Sequence, residues 1–447
     1  MKLAMIKIIL GSCLILAMPL LTKGQGVKRI SLEESVGLAL SHSKQLKISQ
    51  ANLDLAALQI RELRESQLPS LEASATYLRL NSPNVNLKLP QSGTDSSNAL
   101  GNMALHQAMY GMVSTSVPIF AGFRFKYAIQ SARFLERATE LDILTDRESV
   151  ILNVAQAYCN LYKASRAVVL VSENLKSEQE RVKKFADREK NGLLARNDLM
   201  KVKLQESNIE LALLDAQNEL KITQVNFNLM LGLPTSTQLE VEELYFDQLP
   251  EVSPLSQWSE QALSHRKDLA ANHQRQKAAN SNVKVVRADM YPSVALTAGY
   301  VALGLPGLVT VPNAMNVGIG VRYNIASLWT NDSKVKKARV EEFQLRTVEG
   351  MITDQIESEL TSAYYHYISS KQKIGVYEKA KQQAKENFRI TNNKYDNSLV
   401  STTELLDADV AQVQSQINYE MAKADAWFHY KKLQEAAGII NLDRSEN

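Results

Sequence analysis

Apolar positions along the chain follow two different periods. From about Phe125 to Lys190 there is neither Pro nor Gly, and the apolar residues advance in alternating steps of four and three. The series is Val150, Val154, Ala157, Leu161, Ala164, Val168, Val171, Leu175, Glu178, Val182 and Phe185, with Glu178 its one interruption. A sustained seven-residue repeat predicts a helix that supercoils against its neighbours in the left-handed sense. At 1.5 Å per residue this one would reach roughly 100 Å. Asn191-Gly192 breaks the run, and the chain returns along Leu199, Val202, Glu206, Ile209, Leu213, Ala216, Leu220, Thr223, Phe227 and Met230 in the same spacing. This predicts an antiparallel helical hairpin, and a second one with its tip near Asp396 to Thr403.

Elsewhere the period is two. In Met315 to Asn324 every odd position is apolar and every even one small or polar, and Val113 to Val117 alternates likewise. Val294, Leu296, Ala298 and Tyr300 share one strand face; Leu71, Ala73, Ala75 and Tyr77 share another. The predicted strands cover about 70–90, 108–121, 292–303 and 315–326. Charge sharpens this picture, because residues 89–123 carry only Asp95 and residues 290–331 only Arg322. Strands of about ten residues with one apolar and one polar face fit a membrane barrel, and the competing reading is a soluble sheet packed on helices. Phe120, Phe123, Phe125, Tyr127 and Trp329 gather where both hairpins meet their long helices, as an interfacial aromatic girdle would. Four strands cannot close in one chain, and an open edge cannot stand in lipid, so the membrane reading itself requires oligomerisation.

The chain is also written twice. Ala39-Leu40-Ser41-His42, Pro69-Ser70 and Tyr77 return at an offset of 223 as Ala262-Leu263-Ser264-His265, Pro292-Ser293 and Tyr300. Ala157-Tyr158, Asn191, Leu193, Leu199 and Gly232 return at an offset of 206 as Ala363-Tyr364, Asn397, Leu399, Leu405 and Gly438. Identities held in one register mark an internal duplication. The repeats are assigned to residues 25–232 and 255–438. Between them residues 233–254, with Pro234, Pro250, Pro254 and the acidic run 240–243, read as an irregular, exposed linker; 439–447 is a C-terminal tail. At the start, Lys2 and Lys7, the apolar run Ile8 to Leu21 and small residues before Gln25 read as a signal peptide over 1–24. Leu10-Gly11-Ser12-Cys13 has a lipoprotein-box look, but the apolar run continues past Cys13.

Composition removes several function classes. The 447 residues carry 51 basic and 48 acidic side chains, so no basic field marks nucleic-acid binding. Cys13 and Cys159 cannot make a disulfide framework, and the six histidines have no metal-type or nucleophile-type neighbourhood. No catalytic, cofactor or metal residues are assigned, and the chain is not read as an enzyme. His42 and His265, equivalent in the repeat, suggest packing or capping.

The duplicated helix–hairpin–helix plan carries specific signatures: Leu-Pro-Ser and Tyr-Pro-Ser around Pro69 and Pro292, Val-Pro-Ile-Phe-Ala-Gly at 117–122, and the two tip sequences beginning at Asn191 and Asn397. Together they resemble the TolC-like outer-membrane efflux proteins, the outer membrane factors of tripartite pumps. The resemblance implies a mainly α fold with a membrane β part. It implies a homotrimer whose twelve-stranded barrel, four strands per chain, continues into a long periplasmic coiled-coil barrel. It further implies an exit duct in the outer membrane of a Gram-negative bacterium, serving tripartite efflux or type I secretion. Such a duct conducts passively and docks on a periplasmic adaptor and an inner-membrane RND or ABC transporter. The linker and tail would form a collar. Glu404 and Asp407, three apart on one helix face, fall where the family narrows its periplasmic entrance; the latching arginine of some members is here Val400. The tips Gly192, Leu193, Leu199, Ser398, Leu399 and Leu405 are the expected adaptor contacts. A periplasmic coiled-coil adaptor or scaffold with a soluble β domain, and an adhesin-like surface protein, are the competing classes.

Overall fold

The computed structural model describes residues 27–81, 106–242, 246, 249–306 and 309–440. The signal segment, the outer part of the first hairpin and the last seven residues lie outside the described residues. Helices α1 (Leu32–His42) and α2 (Lys44–Glu65) lead to strands β2 (Ser70–Arg79) and β3 (Gln107–Ala121), then to α3 (Arg124–Lys190) and α4 (Arg196–Leu231). The order returns as α5 (Leu255–His265), α6 (Lys267–Ala288), β5 (Ser293–Leu305), β6 (Val309–Arg322), α7 (Ser327–Asp396) and α8 (Thr402–Ala436). Two short strands, β1 (Lys28–Ile30) and β4 (Leu239–Val241), complete the set. The bounds of α5 and α6 repeat those of α1 and α2 at the 223 offset, and α8 starts 206 residues after α4.

The chain divides into two compact units. One comprises the described parts of Met1–Ser43, Arg147–Gln261 and Glu359–Asn447. Its core packs Val154, Tyr158 and Leu161 of the α3 seam against Phe227 and Leu231 of α4, Trp427 of α8 and Val36 of α1. The segment after α4 departs from the expected irregular linker. Leu239 to Val241 pairs in parallel with Lys28 to Ile30, and Leu239, Val241 and Phe246 are buried. The alternation Leu239-Glu240-Val241 is a short strand that the surrounding prolines obscure. The Tyr158 hydroxyl fixes this pair by accepting from the Glu242 amide at 2.8 Å. Tyr367 of α7 is buried as well, its hydroxyl donating to the Pro250 carbonyl at 2.6 Å.

The other unit comprises Lys44–Asp146 and Ala262–Ser358. Small buried residues, among them Ala271, Ala278, Ser281 and Ala288, line α6. Polar side chains tie it to its neighbours: Asn272 donates to the Leu345 carbonyl, and the Ala278 carbonyl accepts from Ser131. The sheet of this unit is antiparallel, in the order β2-β3-β5-β6. Its strands differ somewhat from expectation. β2 is described to Arg79, and residues 82–90 of the expected strand lie outside the described residues. β6 spans Val309 to Arg322 rather than 315–326. Pro312 fits within it because β6 is an edge strand and the register shifts between Val301 and Leu303, which takes Pro312 out of the ladder. Beyond the sheet, Gly122 (φ 59°) and Phe123 (φ 65°) turn β3 directly into α3. A Cβ on Gly122 would lie 2.6 Å from the Ala288 carbonyl oxygen, so this position requires glycine.

Candidate functional site

Three features carry chemistry, and the first is the sheet face. Directly opposed residues of antiparallel strands share a face. The register aligns Leu71, Thr115, Ala298 and Val317 in one row, and Ala73, Val113, Tyr300 and Met315 in the next. Val117, Leu296 and Ile319 continue the same face. The opposite face aligns Ser70, Ser116, Thr297 and Gly318, then Glu72, Ser114, Gly299 and Asn316. The apolar face is bare: Met315, Val317, Ile319 and Val321 are 82%, 79%, 69% and 69% exposed. A soluble sheet packed on helices would bury these side chains. Among the described residues no helix is long and apolar enough to cross a membrane.

At the end of the sheet nearest the long helices, Phe120 and Phe123 meet edge-to-face at 5.4 Å, and Phe123 and Trp329 are exposed. Phe125 and Tyr127 are half-buried, and Lys284 lies over the Tyr127 ring. Tyr291 and Tyr323 are also exposed here. Tyr323 is the last position of the apolar alternation that begins at Met315, and Tyr291 stands just before β5.

The second feature is the pair of hairpin tips, which share one construction. Gly192 (φ 72°) and Ser398 (φ 59°) are both left-handed. In each tip the next amide returns to the helix, Leu193 to the Arg188 carbonyl at 2.8 Å and Leu399 to Lys394 at 2.9 Å. This is the capping geometry in which orphan carbonyls at a helix end find donors. Asn191 and Asn397 each donate from the side chain to the carbonyl four residues back, both at 2.8 Å. Leu193 and Leu399 project outward, 77% and 72% exposed. Leu199 and Leu405, expected as contacts, are corrected: they are 5% and 1% exposed and pack with Phe185 and Val202 inside the protomer. Their seam positions turn them toward the facing helix rather than outward.

The third feature is the pair Glu404 and Asp407, both exposed in the first turns of α8. Ser401 caps this helix by accepting from the Glu404 amide, and its hydroxyl also reaches the Glu404 carboxylate at 3.3 Å. Ser401 and Glu404 have the spacing of a capping box, and this contact by itself gives Glu404 a structural role but leaves Asp407 without one. The repeat equivalents at the 206 offset are Asp198 and Lys201, an ion pair at 3.2 Å. The first copy thus neutralises the position where the second keeps two like charges.

Duplicated helical hairpins joined to a sheet with a bare apolar face define a membrane protein of the β class, in which lipid takes the place of a covering layer. Comparison with known proteins agrees. The sequence profile of the family described as outer membrane efflux protein matches residues 36–233 and 258–438. The chain belongs to that family. The cation efflux system protein CusC of Escherichia coli (strain K12) is 28% identical over 246 residues, 54% of this chain and 52% of that protein. The chain spans about half the length of the curated relatives it matches. The fold is shared with the outer membrane protein VceC of Vibrio cholerae, at a TM-score of 0.72 and 18% identity over 91% of this chain and 96% of that one. It is shared too with the CmeC outer membrane channel of Campylobacter jejuni, at a TM-score of 0.73 and 18% identity over 93% of this chain and 87% of that one.

Proposed function

We propose that three copies of this chain form an outer-membrane exit duct for an efflux or type I secretion assembly. The observation that carries this reading is the bare apolar face running across all four strands between two edge strands, β2 and β6. An isolated sheet of this kind is unstable in lipid, because the outer rows of backbone N–H and C=O groups find no partner there. Edge-to-edge closure by three copies gives twelve strands with lipid outside and the Ser, Gly and Asn face lining the lumen. Phe123, Tyr291, Tyr323 and Trp329 mark the periplasmic interface, with Phe120, Phe125 and Tyr127 beneath them. The long helical hairpins extend the conduit into the periplasm.

Conduction is passive. The residues exclude or admit solutes but form and break no bonds. Glu404 and Asp407 supply two stacked rings of three carboxylates at the periplasmic entrance, and such rings favour cations. No arginine stands at Val400 to latch them. Leu193 and Leu399, beside Gly192 and Ser398, meet the hairpin tip of a periplasmic adaptor, which couples the duct to an inner-membrane transporter of the RND or ABC kind. The test is detergent extraction of the outer-membrane fraction followed by gel migration with and without boiling, and planar-bilayer recording. A heat-sensitive trimer that conducts supports the duct. A monomeric, periplasmic, non-conducting protein would favour the scaffold reading.

A further inference from the structure

The one interruption of the α3 seam is a buried carboxylate. Glu178 is 0% exposed, and neither of its oxygens receives a hydrogen bond among the described residues. The Arg181 Nη1 atom, one turn along α3, lies 2.8 Å from it as an ion pair outside hydrogen-bond alignment. Arg181 Nη2 donates across to Asp409 Oδ1 of α8 at 2.8 Å. The remaining Asp409 oxygen is buried and unpartnered among the described residues. Glu206 of α4 adds a further negative charge facing Glu178. From α7 comes an uncharged neighbour, the Phe388 ring, 5.6 Å from the Arg181 guanidinium. A cavity of about 210 Å³ opens beside the Arg181–Asp409 pair, bounded by Glu173, Ser177, Arg181, Phe388, Asp409 and Gln412. Glu178 does not line it, so water there brings a proton to its partners Arg181 and Asp409, next to the buried carboxyl.

We propose that Glu178, Arg181 and Asp409 form a proton-operated clamp holding the first turns of α8 against α3. With Glu178 protonated, Arg181 and Asp409 remain as a balanced pair. With Glu178 ionised, two buried carboxylates share one guanidinium, and the excess charge has no compensation in the seam. Burial pushes the Glu178 carboxyl up to about 7; Arg181 opposes the shift, while Asp409 and Glu206 add to it. A released, solvated Glu178 would titrate near its ordinary 4.5. The packed state therefore holds the proton more tightly than the released one. Its advantage is full below about 4.5 and is lost as pH rises through about 7. Between pH 5 and 8 the packed-to-released ratio falls on the order of tens-fold. Asp409 lies two residues beyond Asp407, so the clamp also fixes the helical turn that bears the proposed gate acids. That consequence rests on the duct reading, whereas the clamp does not.

The clamp is tested on the full-length protein in detergent by hydrogen exchange, corrected for intrinsic chemistry, from pH 5.5 to 8.5. The segment is Thr402 to Gln416, with the core stretch Ala422 to Leu433 of the same helix as reference. Protection of the first segment is expected to fall tens-fold across this range while the reference holds. Glu178→Gln should stay at the acid level of protection throughout. Asp409→Asn should move the midpoint to lower pH, since it removes a like charge and leaves Arg181 to Glu178. A flat wild-type profile, or the same slope in Glu178→Gln, overturns the clamp. The carboxyl chemical shift of Glu178 in selectively labelled wild-type protein gives the midpoint without any substitution. A value near 4.5 overturns the proposal equally, and channel recordings remain a separate test of the duct.

Discussion

The bare face of β6 makes a depth-graded prediction. Tyr323 and Trp329 set the level of one interface, just past Arg322. A strand rises about 3.4 Å per residue, and barrel strands tilt by about 40°, so each residue advances roughly 2.6 Å along the membrane normal. Val321 then lies about 3 Å inside Arg322, Ile319 about 8 Å and Val317 about 13 Å. The apolar band of such barrels is about 25 Å tall, which puts Val317 near the midplane. Arginine at Val317 should therefore cost about 2–4 kcal/mol, arginine at Val321 about 0–1, and arginine at Ile319 an intermediate amount. Gly318 is the control, because it faces the opposite side and a Cβ there meets nothing within 4 Å. In a soluble sheet all three apolar positions are merely exposed, and each substitution would fall within about 0.5 kcal/mol of neutral. The assay is reversible guanidinium unfolding of the protein in lipid vesicles, followed by heat-modifiable migration. The gradient Val317 > Ile319 > Val321, with Gly318→Arg tolerated, is the expected result. Equal and small losses at all four positions, or the largest loss at Gly318, would refute the lipid-facing assignment.

Three further outcomes are expected. Ser398→Gly should stabilise the second tip by about 1 kcal/mol, because Ser398 holds the left-handed conformation that Gly192 adopts without penalty in the first, and thermal unfolding measures the gain. Leu193→Glu combined with Leu399→Glu should abolish export while leaving the trimer intact on gels; a dissociated trimer would show that these leucines serve assembly instead. Glu404→Gln with Asp407→Asn should reduce cation preference and weaken block by trivalent cations applied from the periplasmic side, and unchanged single-channel recordings would remove the gate assignment.

The helices and the pairing of apolar strand faces were legible because each depends on a local period. Val154, Leu161 and Phe185 were read from spacing alone and are buried as the seam requires. Spacing put Leu199 in the seam but does not reach Leu193, which lies in the turn before α4. Leu193 and Leu199 are both leucines within one turn region, yet one projects outward and the other packs on Phe185. The difference lies in the left-handed residue between helices, which resets the helical phase. The β1–β4 pair was hidden for another reason. It is a contact between Lys28 and Leu239, more than two hundred residues apart, and no local pattern encodes a partner at that distance. Glu178 was visible as a break in the seam, but a break does not say that Arg181 and Asp409 converge on it.

The duplication turns these particulars into an argument about function. The two copies share the bounds of their two leading helices, a left-handed residue at each tip and left-handed glycines at Gly232 and Gly438. Their backbones thus solve the same packing problem in the same way. Their charges do not match. Glu178 and Arg181 stand where the second copy has Ala384 and Asn387, and Glu404 and Asp407 stand where the first has the neutralised pair Asp198 and Lys201. Packing alone would be served by repeating the uncharged or paired solution, since an uncompensated carboxylate in a seam is destabilising. The unmatched acids therefore lie where the two hairpins have different tasks. One set, Glu404 and Asp407, faces solvent, as the proposed gate requires. The other, Glu178 with Arg181, is buried against Asp409 of α8, as the proposed clamp requires.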